Sequence, residues 1–340
     1  MRVLVTGATG FVGSHSVKAL VEAGHEVRLL VRSPDAIASA LDPLGVSGVD
    51  HCIGDVTDSG SVETAIRGCD AVLHAAGVFT LDARRHAEME AVNLGGARNV
   101  LGTAVRLGLD PIIHVSSLMA LFPPVHPVFD VDSPVGTPLG PYGRTKAECE
   151  REARSLQERG APVVITYPGN VWGPCDPKRG ESMQILGRFL AFGGAPDPGC
   201  GGLPVVDVRD LAAVHASALV PGQGPRRYLC GGHLLQVREV FDVLRMATGR
   251  RLVVAPVRPG LLRGLGRVVD RVRSLTGVDL LLSHEAMDIL TRMVPTDDSQ
   301  TTHDLGVTFR RSELTLRDAL AWMYDQGLLK ARHVGSLATA

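Results

Sequence analysis

The sequence has little of what defines several large classes of protein. Its 340 residues balance 35 basic against 36 acidic side chains, so no excess of charge favours nucleic acid or an anionic membrane as a partner. No apolar run reaches about 18 residues, the length expected of a membrane-spanning helix. The six cysteines are scattered without a C-x-x-C pair, which argues against a zinc site and a disulfide framework. With no signal-peptide pattern at the start, we expect a cytoplasmic protein with reduced thiols.

Lysines and aromatic residues are also scarce. Aromatic side chains make up 4% of the chain, and only four of the 35 basic residues are lysines, at positions 18, 146, 178 and 330. A lysine therefore occurs at any given position of a motif by chance less often than an arginine does. Apolar residues, at 45%, are ample for a buried core.

A glycine-rich stretch lies between a strand-like and a helix-like segment near the start of the chain. Residues 2–5 are mostly apolar, and residues 12–24 carry apolar side chains at helical spacing. Glycines at positions 7, 10 and 13 would allow a sharp turn, a close approach by phosphate and tight packing of helix on strand. The N–H groups and dipole of the helix would attract the anion. The stretch therefore predicts a dinucleotide site formed by Thr6-Gly7-Ala8-Thr9-Gly10-Phe11-Val12-Gly13.

This T-G-x-x-G-x-x-G spacing resembles the extended short-chain dehydrogenase/reductase family, also known as the NAD-dependent epimerase/dehydratase superfamily. Further segments resemble the family in order and spacing over about residues 1–220. The resemblance implies an α/β fold with a Rossmann-type, doubly wound parallel sheet. Within the family, the chain looks most like the dihydroflavonol-reductase-like and hydroxysteroid-dehydrogenase-like members.

The end of the second predicted strand, residues 26–31, bears on which dinucleotide is bound. A carboxylate here would bind the 2′-hydroxyl of NAD, whereas a guanidinium suits the 2′-phosphate of NADP. Arg32 therefore favours NADP over NAD, although a solvated surface arginine would give the same sequence. Asp35 is expected on the following helix, because Ser33-Pro34 is typical of a helix start.

The resemblance implies further cofactor contacts at later strand ends. Asp55 and Val56 would bracket the adenine, the small residues after the fourth strand would lie beside the cofactor, and Asn93 would brace the active site from a helix over residues 84–107. His74, within the fourth strand, is predicted to be a core histidine. The segment after the sixth strand would contact the nicotinamide carboxamide through its backbone, with Tyr167 where the family usually has arginine. The predicted cofactor-binding residues are Thr6, Gly7, Thr9, Gly10, Phe11, Val12, Gly13, Arg32, Asp55, Val56, Ala75, Ala76, Gly77, Asn93, Ser116, Tyr142, Lys146, Pro168, Asn170 and Val171.

The reacting group is predicted from a Y-x-x-x-K motif. Tyr142 and Lys146 lie one turn apart on one face of a predicted helix. A free tyrosine titrates at about 10, and a neighbouring ammonium favours the phenolate needed for proton exchange near neutral pH. Ser117, 25 residues before Tyr142, matches the family's spacing for the hydroxyl that holds the substrate oxygen. The predicted catalytic residues are therefore Ser117, Tyr142 and Lys146, while Ser116 would face the cofactor or the helix behind.

Beyond residue 173 the alternation of strand and helix breaks. We expect a dinucleotide-binding domain over residues 1–173, with contributions from about 203–230, and a smaller, mostly helical substrate-binding lobe over 174–330. Residues 331–340 are predicted to be a loose tail. Leu203 stands where nucleotide-sugar enzymes of the family carry an arginine, and Ser117 is followed by Leu118-Met119 instead of an acidic pair. Both features argue against a nucleotide-sugar substrate.

Two stretches of the sequence each allow two structural interpretations. The segment that follows Ser117 contains four apolar residues, which suggest an apolar pocket wall, although core packing would give the same pattern. They are Leu118, Met119, Leu121 and Phe122. A basic amphipathic helix over residues 258–273 is consistent with a solvated arginine face over a core, or with a helix resting on a membrane surface. Asp297-Asp298-Ser299 is predicted to be a loop and helix cap, and no metal site is predicted.

Together these features predict an NADP-dependent oxidoreductase acting on a carbonyl or secondary alcohol of an apolar small molecule. The resemblance also implies a homodimer, with neither nucleic acid nor an integral membrane segment involved. A nucleotide-sugar epimerase that retains NAD is the alternative enzyme. A sensor that binds NADP(H) without turnover is the alternative from another class, and the Tyr142/Lys146 pair counts against it.

Overall fold

A computed structural model describes residues 1–79, 85–276 and 283–339. Seven parallel strands form the main sheet, in the spatial order β10-β6-β5-β4-β1-β2-β3. This is the doubly wound order of a Rossmann fold, so the predicted fold class is confirmed. The strands are β1 Arg2–Thr6, β2 Glu26–Val31, β3 Asp50–Ile53, β4 Ala71–His74, β5 Ile112–Val115, β6 Val163–Pro168 and β10 Arg226–Cys230.

Helices cover both faces of this sheet because alternate residues of each strand point to opposite sides. In β1, Val3 and Val5 belong to one buried cluster with residues of α1 and α8, whereas Leu4 belongs to a second cluster with residues of α3, α5 and α6. The helices of this part are α1 Phe11–Glu22, α2 Asp35–Leu41, α3 Ser59–Ile66, α4 His86–Glu90, α5 Gly96–Arg106, α6 Pro141–Glu158 and α8 Val208–Ser217.

The remaining elements form a smaller, mainly helical lobe with a third buried cluster around Trp172 and Phe241. Its strands pair as β11-β9-β7 and as β12-β8. They are β7 Asn170–Trp172, β8 Gly194–Asp197, β9 Leu203–Asp207, β11 His233–Leu235 and β12 Val253–Pro256. Its helices are α7 Glu181–Phe192, α9 Val237–Thr248, α10 Pro259–Thr276, α11 His284–Arg292, α13 Ser312–Asp325 and α14 Ala331–Val334, whereas α12 Ser299–Leu305 packs against β10 and α8 of the main-sheet part.

Two expectations are corrected, and one pair of alternatives is narrowed. The single helix expected over 84–107 is interrupted by a π-helical turn, Ala91–Gly95, between α4 and α5. The tail expected from residue 331 begins with α14, whose Val334 is fully buried in the third cluster. Of the two interpretations of the apolar residues after Ser117, core packing fits most of them, because Leu118 and Phe122 are no more than 3% exposed.

The basic helix is α10, and one of its faces packs on the lobe, as expected of an arginine-bearing helix over a core. Leu262 and Val269 are buried, whereas Leu261, Leu265 and Val268 are exposed. No helix within the described ranges is long and apolar enough to cross a membrane.

Candidate functional site

The turn after β1 has the geometry that a bound dinucleotide requires. Gly7 has a φ of +74°, and a Cβ there would lie 2.6 Å from the backbone of Ala75 and Ala76. A Cβ at Gly13 would overlap the carbonyl of Gly7. Gly10 caps α1 without a side chain, so the first N–H groups of the helix have no side-chain partner there. The turn therefore presents open backbone donors to a phosphate, and the residues present fit a pyrophosphate.

The side chain of Thr6 lies beneath this turn and connects β1 to β4 and the loop that follows it. This side chain is fully buried, its Oγ1 lies 2.8 Å from Nδ1 of His74, and it accepts a hydrogen bond from Ala76 N at 3.3 Å. Burial lowers the pKa of His74 to about 3, so this histidine is neutral and belongs to the core, as predicted. Thr6 therefore fixes the strand ends beneath the predicted cofactor site, and its own side chain points away from solvent.

The predicted adenine contacts lie at the end of β3. Asp55 accepts hydrogen bonds from the backbone N and the hydroxyl of Thr57, both at 2.9 Å, which fixes its carboxylate in a turn. Val56 is 8% exposed and packs closely against Gly96 of α5. Asn99 holds the loop by donating to the Val56 carbonyl at 2.9 Å.

Arg32 directly follows β2 and is exposed. It makes no hydrogen bond or ion pair with any residue in the described ranges. Lys178, from the loop before α7, is its cationic neighbour: burial and the charge of Arg32 both lower the pKa of this lysine. Sequence reasoning missed Lys178, because 146 positions separate it from Arg32 and no local motif marks it.

Asn93 sits within the π-helical turn, and its side chain joins three segments of the site. Its Oδ1 accepts from Val78 N at 2.7 Å, while its Nδ2 donates to the Val78 carbonyl at 3.0 Å and to the Thr145 hydroxyl at 3.1 Å. The side-chain amide of Asn93 therefore hydrogen-bonds both to the loop after β4 and to α6, and it fixes that loop to the helix that carries Tyr142 and Lys146. π-Helical turns are frequent at functional sites.

Lys146 lies deep in the site. It is 8% exposed, and its Nζ donates to the carbonyl of Val115, at the end of β5, at 3.1 Å. A Cβ on Gly77 would lie 3.9 Å from this Nζ and 3.5 Å from Oδ1 of Asn93. The structure thus brings together four of the predicted residues or their direct neighbours: Gly77, Asn93, Thr145 and Lys146.

Tyr142 occupies the first turn of α6 and is half-buried. Its ring and that of Phe79 form a T-shaped pair, with a centroid distance of 4.7 Å and an interplanar angle of 81°. Pro141 begins the helix, a favoured position for proline because its missing N–H is not needed there. Phe79 is 45% exposed and was not singled out in the sequence. It forms an apolar wall beside the phenol.

Ser117 and Ser116 point in different directions at the end of β5. Ser117 is 8% exposed, and its Oγ accepts a hydrogen bond from Met119 N at 3.2 Å, which leaves the hydroxyl proton free to be donated. Ser116 donates to Oε2 of Glu150, in α6, at 2.8 Å. Of the two directions predicted for Ser116, its hydroxyl takes the one toward the helix behind.

Glu150 is the centre of a buried polar network that the sequence did not reveal. Tyr167 donates to its Oε1 at 2.5 Å and Arg154 donates to the same atom at 2.6 Å. Burial, followed by the charge of Glu150, raises the pKa of Tyr167 well above its usual value, so its phenol stays protonated. The network joins the ends of β5 and β6 to the middle of α6.

The predicted carboxamide segment crosses from the main sheet into the lobe. Pro168 ends β6, and Asn170 and Val171 begin β7, where Asn170 pairs with Val205. Gly169 between them has no room for a side chain, because a Cβ would lie 2.5 Å from the Pro204 carbonyl. Asn170 and Val171 are half-buried at this junction.

Comparisons with known proteins agree with this geometry. Residues 3–231 match the model of the NAD dependent epimerase/dehydratase family. The "Putative dihydroflavonol 4-reductase" of Synechocystis sp. is 28% identical over 335 residues, 96% of each chain. The "Sterol demethylase protein B" of Methylococcus capsulatus is 28% identical over 339 residues, covering 97% of this chain and 100% of the relative. The crystal structure of gox2253 superposes with a TM-score of 0.79 at 26% identity, covering 97% of this chain and 99% of that one. The chain therefore belongs to the NAD dependent epimerase/dehydratase family and is an NAD(P)-dependent enzyme of the extended short-chain dehydrogenase/reductase type.

Proposed function

We propose that this protein is an NADP-dependent oxidoreductase that interconverts a ketone or aldehyde and its alcohol on an apolar small molecule. The observation that carries this proposal is the position of Lys146. Its ammonium is buried on the same helix face as Tyr142, and Asn93 ties that helix to the loop after β4. A buried cation one turn from a half-exposed phenol suits proton exchange with a substrate oxygen.

The residues have separate roles in this proposal. The bound dinucleotide would supply or accept the hydride. Tyr142 donates a proton to the substrate oxygen in reduction and accepts it in oxidation. Lys146 stabilises the phenolate form. Ser117 donates its free hydroxyl proton to the same oxygen, because its oxygen already accepts a hydrogen bond from Met119 N.

The preference for NADP is supported by two neighbouring cations. Arg32 has no protein partner in the described ranges, and Lys178 lies near enough for the charge of Arg32 to lower its pKa. Two neighbouring cations suit a phosphate with two negative charges better than a ribose hydroxyl. Glu88, whose pKa the charge of Arg32 helps to lower, is already paired with Arg85 at 2.8 Å.

Cofactor titration followed by a substrate screen tests the proposal. Quenching of protein fluorescence gives the Kd for NADPH and NADH, and a panel of ketones and aldehydes is then screened for oxidation of the bound cofactor. We expect tighter binding of NADPH, and loss of turnover in Tyr142→Phe with its NADPH affinity retained. Tyr324→Phe, in α13 of the lobe, is the matched control and should keep full activity.

Three outcomes would contradict the proposal. Equal affinity for the two dinucleotides would remove the NADP preference, and full turnover by Tyr142→Phe would remove the proton-transfer role. A purified protein that retains NAD and epimerises a nucleotide sugar without net redox would replace the proposed reaction with the epimerase alternative.

A further inference from the structure

A pocket lined by arginines lies at the N-terminus of α6, outside the cluster around Lys146. Its volume is about 400 Å³. It is bounded by the loop before α6 and by α10 and α11, with the lining residues Leu139, Arg263, Arg267, His284, Asp288 and Arg292. Leu139 stands three positions before Tyr142, so the pocket adjoins the end of α6 that carries the proposed proton donor. None of its lining residues belongs to the predicted cofactor set.

Close packing of α10 on α11 holds the arginines in place. A Cβ on Gly266 would lie 2.7 Å from Cα of His284, so the two helices approach each other at this glycine. Arg263 and Arg267 lie on either side of Gly266 along α10, and Leu262, 1% exposed, anchors the buried side of the helix. The position of these guanidinium groups therefore follows from the helix crossing.

Among the lining residues of this pocket, arginines outnumber acids, although Asp270 lies beside it and accepts a hydrogen bond from His284 N at 3.0 Å. Asp288 is the one acid among the lining residues, and Arg292 donates to it at 3.2 Å. Arg263 donates to the neutral hydroxyl of Thr291 at 3.3 Å. Arg267 makes no hydrogen bond or ion pair with any residue that the structure describes. A guanidinium carries five N–H donors, so Arg263 and Arg267 keep most of theirs available.

We propose that this pocket binds an anionic group, a carboxylate or a phosphate, at the end of the substrate remote from its carbonyl. The inference rests on the proposed function, since it assigns the anion to the substrate of Tyr142. Asp288 is paired with Arg292, so Arg263 and Arg267 line the cavity as like charges that an added anion would stabilise. Guanidinium forks bind carboxylate and phosphate oxygens in pairs. The substrate is then an amphiphile, with its carbonyl at Tyr142 and its anionic end on Arg263 and Arg267.

Matched acids and esters test this assignment through turnover. The substrates are methyl ketones with a terminal carboxylate, CH₃CO(CH₂)ₙCO₂⁻, over a series of chain lengths, and their methyl esters. At the favoured length, kcat/KM for the acid should exceed that for the ester by roughly ten- to hundredfold. Arg267→Gln should remove this preference by raising KM for the acid alone. Arg258→Gln, which removes an exposed arginine just before α10, should keep it.

Equal kcat/KM for acid and ester at every length would overturn the inference. So would an unchanged preference in the double variant Arg263→Gln/Arg267→Gln. These outcomes leave the proposed reaction standing, because the ester itself is still reduced.

A binding measurement separates the pocket from the reaction. Octanoate and octyl phosphate are titrated calorimetrically into the wild-type protein and both single variants, with octan-1-ol as the uncharged probe. The anion-binding pocket is supported if either anion binds the wild-type protein and Arg258→Gln but not Arg267→Gln. If this result is obtained and no ketone is reduced, the proposed function alone fails. Failure of both anions to bind overturns the pocket, whatever the turnover. The tighter of the two anions distinguishes a carboxylate from a phosphate.

Discussion

Tyr167 shows how a departure from the family's sequence pattern is accommodated by neighbouring side chains. The resemblance implied an arginine at this position, and in the structure the positive charge beside Tyr167 is that of Arg154 in α6. Arg154 Nη2 lies 3.2 Å from the phenol oxygen of Tyr167, and both side chains converge on Glu150. Glu150 is fully buried and Arg154 only 13% exposed, so the ion pair lies in a medium that screens charge weakly.

Replacing Glu150 by glutamine should destabilise the protein strongly. The substitution keeps the shape but leaves the guanidinium of Arg154 buried without a counterion, so we expect the free energy of unfolding to fall by about 3 kcal/mol. Urea denaturation measures it. Glu152→Gln is the matched control, two positions along the same helix, where the carboxylate is 38% exposed and paired with Arg98. Its expected loss is below about 1 kcal/mol. Equal losses for the two variants would contradict the importance of the buried network.

His215 is a second residue whose burial has a measurable consequence. It is fully buried in α8, with Nδ1 2.8 Å from the Ser16 hydroxyl and Nε2 3.2 Å from the Thr166 hydroxyl. Burial lowers its pKa from 6.5 to about 3. Below pH 6.5 the unfolded chain therefore takes up a proton at this residue that the folded protein does not. The associated stability is fully present above pH 6.5 and is lost as the pH falls toward 3.

The dependence of unfolding on pH should reveal this histidine. Between pH 6 and 4 the wild-type free energy of unfolding should fall more steeply than that of His215→Gln, by up to about 1.4 kcal/mol per pH unit. Urea titrations at each pH give the two slopes. His303→Gln, whose histidine side chain is 89% exposed in α12, should retain the wild-type slope. Identical slopes for His215→Gln and the wild type would show that His215 protonates in the folded state.

At the scale of elements, the spacing of glycines decides how α1 sits on the sheet. Gly13, in the first turn of α1, faces the Gly7 carbonyl so closely that a Cβ would overlap it. Gly102, within α5, is exposed and has open space where a Cβ would be. The two positions are both helical glycines, yet only the first is required by packing. The local sequence predicted this role because the turn, the strand and the helix are contiguous in the chain.

Comparing Gly13→Ala with Gly102→Ala should separate the effect of close packing on stability and dinucleotide affinity from the effect of intrinsic helix propensity. Gly13→Ala pushes α1 away from the turn, so we expect at least about a tenfold loss of dinucleotide affinity and a destabilisation of about 1–3 kcal/mol. Gly102→Ala should stabilise the protein by about 0.5–1 kcal/mol and leave the affinity unchanged. Fluorescence titration and urea unfolding measure both effects. A Gly13→Ala protein that binds dinucleotide normally would contradict the cradle geometry.

For the whole molecule, the sequence predicted what is local and missed what is brought together by folding. The glycine turn, the alternation of strand and helix, and the helix with Tyr142 and Lys146 were predicted because each depends on neighbours within one strand–helix unit. The contact of Asn93 with Thr145 spans 52 positions, and the proximity of Lys178 to Arg32 depends on a loop that returns from the lobe. No periodicity or spacing encodes such contacts. The π-helical turn at Asn93 was missed for the same reason, since tertiary hydrogen bonds stabilise it.

Glu285 links the lobe to the dinucleotide-binding part. Its carboxylate lies against the backbone of Gly140, the N-cap of α6, and burial raises its pKa. Gly140 has no room for a side chain, because a Cβ would overlap this carboxylate. A carboxylate at a helix N-terminus is favoured by the helix dipole. Helix α11 of the lobe therefore positions the turn that carries Tyr142.

Replacing Glu285 by alanine should impair catalysis and leave cofactor binding intact. The substitution removes the carboxylate that packs against Gly140, so the first turn of α6 loosens and we expect kcat/KM to fall about tenfold, equivalent to about 1.4 kcal/mol. The NADPH Kd should stay at the wild-type value because the glycine turn lies at the end of β1, away from α11. Glu313→Gln, an acid at the start of α13 that is 41% exposed, is the control and should change neither quantity. Parallel losses of kcat/KM and of NADPH affinity in Glu285→Ala would indicate general unfolding instead of misplacement of Tyr142. An unaltered kcat/KM would show that the active site forms without the lobe's contact to α6.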